Sequence, residues 1–118
     1  MASRDITVRP WGFYDILHKE PGYQIKRIHV EADQRISLQS HKHRSEHWYV
    51  IQGLGVVEIE EEAFEIGVGD SITIAVGEVH RITAVGDKGV TFFEVQAGDY
   101  IGEDDITRFE DDYGRLES

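Results

Sequence analysis

Apolar and polar positions alternate with a period of two along most of this chain, the texture of strands with one buried face. Segments 13–18 and 23–30 carry it, separated by the turn signal Glu20, Pro21, Gly22. Segment 35–40 reads as a third strand, entered from a turn over 31–34. Further strands are predicted at 47–51, 56–59, 63–68, 71–75, 80–85 and 90–96. The chain is expected to turn at Gly53 to Gly55, at the acidic triplet 60–62, at Gly69 and Asp70, at Gly77 and at Gly86 to Gly89. Residues 1–10 read as a polar lead-in with no fixed element. Beyond Gly98 the texture changes: Ile106, Phe109 and Tyr113 fall at i, i+3 and i+7, which predicts a short helical turn packed on the body. Short strands recurring about every 8–12 residues predict an all-β sandwich or barrel, and the lack of helical patterns between them argues against a parallel α/β sheet. A length of 118 residues suits one domain, 1–118, built round one core.

Composition narrows the functional classes. The net charge is −11, from 23 acidic against 12 basic residues. Such a surface repels phosphate backbones and disfavours nucleic-acid partners, although a local group of Arg and Lys can still receive a small phosphorylated molecule. No apolar run approaches the roughly 18 residues of a membrane helix, and the N-terminus has no signal-peptide character, so no membrane partner and a cytoplasmic location are expected. The chain has no cysteine. That removes thiolate chemistry and disulfides and agrees with a reducing compartment.

The candidate chemistry is concentrated in 39–53. Gln39, His41, His43, Glu46 and His47 fall within nine residues and run into an apolar strand. Imidazole nitrogens, a carboxylate and an amide oxygen are the donors that borderline divalent metals take. Gln39 and His41 share strand parity. The bland alternative is a solvated, histidine-rich turn. A second unit at 69–80 weighs against it, because His80 follows the Gly77 turn and opens a strand. Two histidine-bearing turn–strand units in one small all-β chain point to a shared site.

This pair resembles the two cupin motifs. Counting back from Gly53, Glu46 and His41 keep the frame of the first motif, while Gln39 stands in the first histidine place and Asp33 in the glycine place. In the second, Gly69, Gly77 and His80 keep the frame, while Ala75 and Ala84 replace its proline and asparagine. The units Arg9-Pro-Trp-Gly12, 37–48 and 102–115 further resemble the type II phosphomannose isomerase module, usually the C-terminal part of a bifunctional mannose-1-phosphate guanylyltransferase/mannose-6-phosphate isomerase. The resemblance spans roughly residues 7–115 and contains no nucleotidyltransferase motif.

That resemblance implies a cupin double-stranded β-helix, a jelly-roll barrel with a short C-terminal extension. It implies interconversion of mannose 6-phosphate and fructose 6-phosphate, a small-molecule sugar phosphate as partner, and a homodimer. Gln39, His41, Glu46 and His80 would hold a divalent metal, suited to Zn²⁺ but also to Mn²⁺, Fe²⁺, Co²⁺ or Ni²⁺. The metal would stabilise charge developing on an enediolate-like state. Candidates for moving the proton are His43, His47 and Glu94. For the 6-phosphate, Arg44 is the first choice, because its planar fork suits phosphate, with Lys26 and Arg108, and also Arg35, Arg81 and Arg115, behind it. Trp11 and Trp48 read as core aromatics, and His18 and His29 as surface residues. Three other classes stay open: a module that binds a sugar phosphate without turnover, a different cupin enzyme such as an oxygenase or epimerase, and a structural barrel.

Overall fold

The structure, a computed structural model, describes residues 5–115. The expected lead-in over 1–10 therefore falls partly outside the described residues, and its second half is a strand. The elements are β1 (Ile6–Arg9), β2 (Gly12–Glu20), β3 (Tyr23–Val30), β4 (Leu38–Ser40), β5 (Arg44–Ile59), β6 (Glu62–Gly67), β7 (Ser71–Ile74), β8 (His80–Gly98) and β9 (Thr107–Glu110). All pairings between them are antiparallel.

Two long strands, β5 and β8, close the barrel by passing from one layer to the other. In the first layer β1, β2 and β3 lead to the C-terminal half of β8, which pairs with the N-terminal half of β5, flanked by β7. In the second, β9 and β4 lead to the N-terminal half of β8, which pairs with the C-terminal half of β5, flanked by β6. The expected jelly-roll barrel is the fold observed.

The predicted break at Gly53 is a bend and not a turn. Gly53 has φ +80°, the register of β5 against β8 shifts beside it, and a Cβ there would lie 1.9 Å from the Gly89 carbonyl oxygen. A glycine signals permissive backbone, which serves a bulge as readily as a turn. Gly86 to Gly89 likewise loops out of β8 without ending it. The helical turn expected near Phe109 is also corrected. Residues 107–110 pair as β9 with β4, and Phe109 is exposed. The open edge of β4 offered backbone partners that the apolar spacing alone did not reveal.

The core fills the space between the layers. It contains Val30, Val50, Val57, Ile74, Ile82, Val90 and Phe92, all nearly or fully buried, with Trp48 stacked on Phe92 at 4.5 Å between ring centres. Across β3, β8 and β5 the inward side chains form rows set by register. Ile28, Phe92 and Val50 make an apolar floor; Lys26, Glu94 and Trp48 lie above it; Gln24, Gln96 and Glu46 come next. The barrel is thus apolar at one level and polar two residues further along the same strands. That change of chemistry along a shared register marks the functional end.

Candidate metal centre and the adjoining cleft

Alternation along β5 decides which of its polar residues face inward. Arg44, Glu46, Trp48 and Val50 are buried, whereas His47 and Tyr49 are exposed on the other face. Glu46 is 3% exposed. A buried carboxylate is costly unless hydrogen-bonded and paired, and Glu46 has both kinds of partner. Its Oε1 accepts from Trp48 Nε1 at 3.0 Å, and its Oε2 accepts from Arg44 Nε at 2.8 Å. Burial pushes its pKa up, but Arg44, His41 and His80 outweigh burial and hold it down at about 2. It is therefore an anion at neutral pH.

His41 and His80 reach Glu46 from two directions. His41 lies in the turn before β5, and His80 opens β8 in the opposite layer. Their rings are 5.1 Å apart. The Nδ1 of His41 is 2.7 Å from the Asp105 carbonyl oxygen, and that of His80 is 2.9 Å from the Glu78 carbonyl oxygen. A carbonyl only accepts, so each Nδ1 carries a proton, and in the neutral ring that leaves the Nε2 lone pair for a metal. Those Nε2 atoms lie 3.2 Å and 3.7 Å from the two Glu46 oxygens. Burial lowers the His41 pKa against the pull of Glu46, which favours the neutral ring that metal ligation requires. Two imidazole nitrogens and one carboxylate oxygen thus lie within 4.8 Å of one another, a donor set that fits a borderline divalent metal. Gln39 pairs across β4 and β8 with His80 and lines the same cavity, its amide nitrogen donating to the Ser37 carbonyl at 3.2 Å.

The cavity beside these donors is a cleft partly open to solvent. Glu94 lies in its wall, 4% exposed. Burial, reinforced by the charge of Glu46, raises its pKa to about 8, although Lys26 and Arg44 pull in the opposite direction. A chain of buried amides holds it: Gln96 Nε2 donates to Glu94 Oε2 at 2.6 Å, and Gln24 Nε2 donates to Gln96 Oε1 at 2.6 Å. Lys26 is buried with its ammonium over the Tyr14 ring and paired with Glu103. Arg9, Arg108 and Arg115 also line the cleft. Burial lowers the pKa of Arg108, and the charges of Arg115 and Arg9 lower it further, so the three guanidinium groups are electrostatic neighbours.

His43 and His47 lie outside this cavity. His43 is exposed in the turn, 3.4 Å from Asp99 and edge-on to Tyr100, and His47 is bonded to Thr73 Oγ1 on the outer face. His18 is exposed beside Glu20, and His29 is half-buried with Nδ1 2.7 Å from Thr91 Oγ1. Trp11 and Trp48 are core residues, yet Trp48 also serves Glu46. Sequence reasoning missed Arg9 and Asp105. The Asp105 carboxylate accepts from the backbone nitrogens of Lys42 and His43, which fixes the turn that presents His41. Their only signal was that each falls in a stretch resembling the isomerase module.

Comparison with known proteins agrees with this geometry. A family model described as "Mannose-6-phosphate isomerase C-terminal" matches residues 2–111. The chain belongs to that family. It is 45% identical over 107 residues to the alginate biosynthesis protein AlgA of Pseudomonas syringae pv. tomato, covering 91% of this chain and 22% of AlgA. It is 43% identical over 108 residues to the mannose-1-phosphate guanylyltransferase ManC of Salmonella typhimurium, covering 92% of this chain and 22% of ManC. The chain therefore spans about a fifth of the length of these relatives. Among solved structures, KdgF from Halomonas superposes with a TM-score of 0.76 at 19% identity, over 85% of this chain and 89% of that one. Oxalate decarboxylase from Bacillus subtilis superposes with a TM-score of 0.79 at 19% identity, over 90% of this chain and 30% of that one. At such identity the likeness speaks for the cupin double-stranded β-helix alone.

Proposed function

We propose that this chain catalyses the metal-dependent interconversion of mannose 6-phosphate and fructose 6-phosphate. One observation carries the reading: the Nε2 atoms of His41 and His80 and the carboxylate of Glu46 converge beside a cleft whose wall holds a second, protonatable carboxylate, Glu94. An aldose–ketose isomerase needs both, a centre for oxygen binding and a group that carries one proton between adjacent carbons.

His41, Glu46 and His80 would hold the metal, with the Gln39 amide oxygen as fourth donor, and Zn²⁺, Mn²⁺, Fe²⁺, Co²⁺ and Ni²⁺ all suit that set. When bound, the metal supplies Lewis-acid polarisation of the substrate carbonyl. Glu94 takes the proton from C2 and returns it to C1, and its raised affinity for protons matches that duty. The amide chain through Gln96 and Gln24 fixes its direction. Arg9, Arg108 and Arg115 bring positive charge to a half-buried rim and suit the 6-phosphate, Arg115 while its Nε and Nη2 stay on Asp111. Lys26 contributes to the field at Glu94 while remaining paired with Glu103.

Because the chain spans about a fifth of its relatives, the second reading is a sugar-phosphate-binding module that works only within a longer protein. Phosphorus NMR of the metal-loaded chain with mannose 6-phosphate separates the two. A growing fructose 6-phosphate resonance supports the isomerase. Broadening of the mannose 6-phosphate signal without a new resonance would favour the binding module.

A further inference from the structure

Arg44 is the one cavity cation held against the metal donors, and the way its fork is used points to a role at the reacting carbons. It opens β5, faces inward and is 6% exposed. Nε and Nη2 both lie 2.8 Å from Glu46 Oε2, and Nη2 is also 3.4 Å from His41 Nε2. The third nitrogen, Nη1, is shut off from solvent and has no hydrogen-bond partner among the described residues. A buried guanidinium donor without an acceptor lowers stability, and because Arg44 lines the cleft, a small turn of its side chain would bring Nη1 to an oxygen of a bound ligand.

The charges that act on Arg44 after burial are Glu46, Glu94 and Glu103, whereas those acting on Arg108 are Arg115, Asp111 and Arg9. The cleft thus has two separate cationic places. One lies among three guanidinium groups; the other lies beside the metal donors and the proton carrier. Both places line the same cleft, so a ligand with a phosphate at one end and its reacting carbons at the other has a cationic group for each.

We propose, resting on the isomerase reading, that Arg44 Nη1 donates a hydrogen bond to the substrate oxygen that becomes anionic during proton transfer, so that Arg44 is a catalytic residue and not the phosphate ligand. The step balances within the substrate and Glu94. The C2–H bond breaks, its proton goes to the Glu94 carboxylate, and its electron pair forms the C1=C2 double bond. The π pair of the C1 carbonyl moves onto O1, which carries the charge that Nη1–H meets. Glu94 then returns the proton to C1 as C2=O forms, and the O2 hydroxyl proton passes to O1. A donor aimed at charge that exists only in the transition state raises turnover without tightening substrate.

The test uses the zinc-loaded full chain and its Arg44→Lys and Arg44→Gln variants, with zinc content measured for each. Two probes are titrated: a hexitol 6-phosphate, which has phosphate but no carbonyl, and a five-carbon sugar-phosphate hydroxamate, whose ionised planar group mimics the enediolate. Both variants are expected to keep zinc and bind the hexitol phosphate as the parent does. Their kcat and hydroxamate affinity should fall by about 10²–10³-fold, the usual effect of losing one such donor. Weakened hexitol phosphate binding with unchanged kcat would overturn the proposal and return Arg44 to the phosphate. Loss of zinc from both variants would overturn it too, leaving Arg44 as a residue that only positions Glu46. Absence of turnover in the parent chain would sink the isomerase reading instead, and the ratio of the two affinities would still read what Arg44 faces.

Discussion

At the scale of single residues, the candidate metal donors were readable from spacing, whereas Glu94 could be named only as one of three candidate proton carriers. His41, Glu46 and His80 keep a frame relative to Gly53 and Gly77 that survives substitutions around it. His43 and His47 look equally chemical in sequence, yet parity within β5 and the turn before it sends both outward. Parity follows from where the strand begins, and a strand starting at Arg44 instead of His47 changes the environment of every residue between. The first prediction belongs here. His41→Ala and His80→Ala should each abolish retention of metal through dialysis, whereas His18→Ala should retain it, as read by elemental analysis. Full occupancy in His80→Ala would refute the donor set.

Glu94 gives a second residue-scale prediction, through linkage. Its folded pKa of about 8 lies above the ordinary 4.5, so between those values the folded chain holds a proton that the unfolded chain has released. Stability therefore falls as pH rises from about 4.5 to about 8 on account of this group. Glu46 behaves in the opposite sense: its pKa of about 2 gives stability that is complete above 4.5 and lost as pH falls towards 2. Glu94→Gln should accordingly raise the melting temperature of chelator-treated protein at pH 8 and change it little at pH 4. An equal gain at both pH values would contradict the protonation assigned to Glu94.

At the scale of elements, the strands of the two layers were legible because alternation is strong where one face is buried. Their junctions were not. The sequence punctuates at Gly53 and at Gly86 to Gly89, but a glycine that bends a strand and one that ends it look alike until register is known. The C-terminal segment was misread because Ile106, Phe109 and Tyr113 mimic helical spacing, whereas backbone pairing with β4 makes 107–110 a strand. That segment matters to the site. It carries Asp105, whose carboxylate and carbonyl together hold the His41 turn, and Arg108 at the cavity rim. Asp105→Ala removes two backbone bonds to a charged acceptor and should cost roughly 1.5–3 kcal/mol in urea denaturation. It should also weaken zinc binding measured by competition with a chromophoric chelator. Unchanged zinc affinity would show that β5 alone is enough to place His41.

At the scale of the whole molecule, the chain combines an acidic net charge with a gathering of cations in one cleft, where they face Glu46, Glu94 and Glu103. The net charge is −11, yet Arg9, Lys26, Arg44, Arg108 and Arg115 all line one cleft. Composition argued against a polyanionic partner and left room for a small phosphorylated molecule, but it could not show that cations from β1, β3, β5, β9 and Arg115 converge. Only closure of the barrel brings them together. Among the described residues no helix is long and apolar enough to cross a membrane. The homodimer implied by family resemblance stands as a proposal for sedimentation analysis.

The most direct test of the account strips the purified chain of metal, restores single divalent ions, and follows fructose 6-phosphate formed from mannose 6-phosphate. The account predicts no turnover in the stripped protein and recovery with at least one of Zn²⁺, Mn²⁺, Fe²⁺, Co²⁺ or Ni²⁺. Turnover that persists undiminished after stripping, or none with any ion, would contradict it.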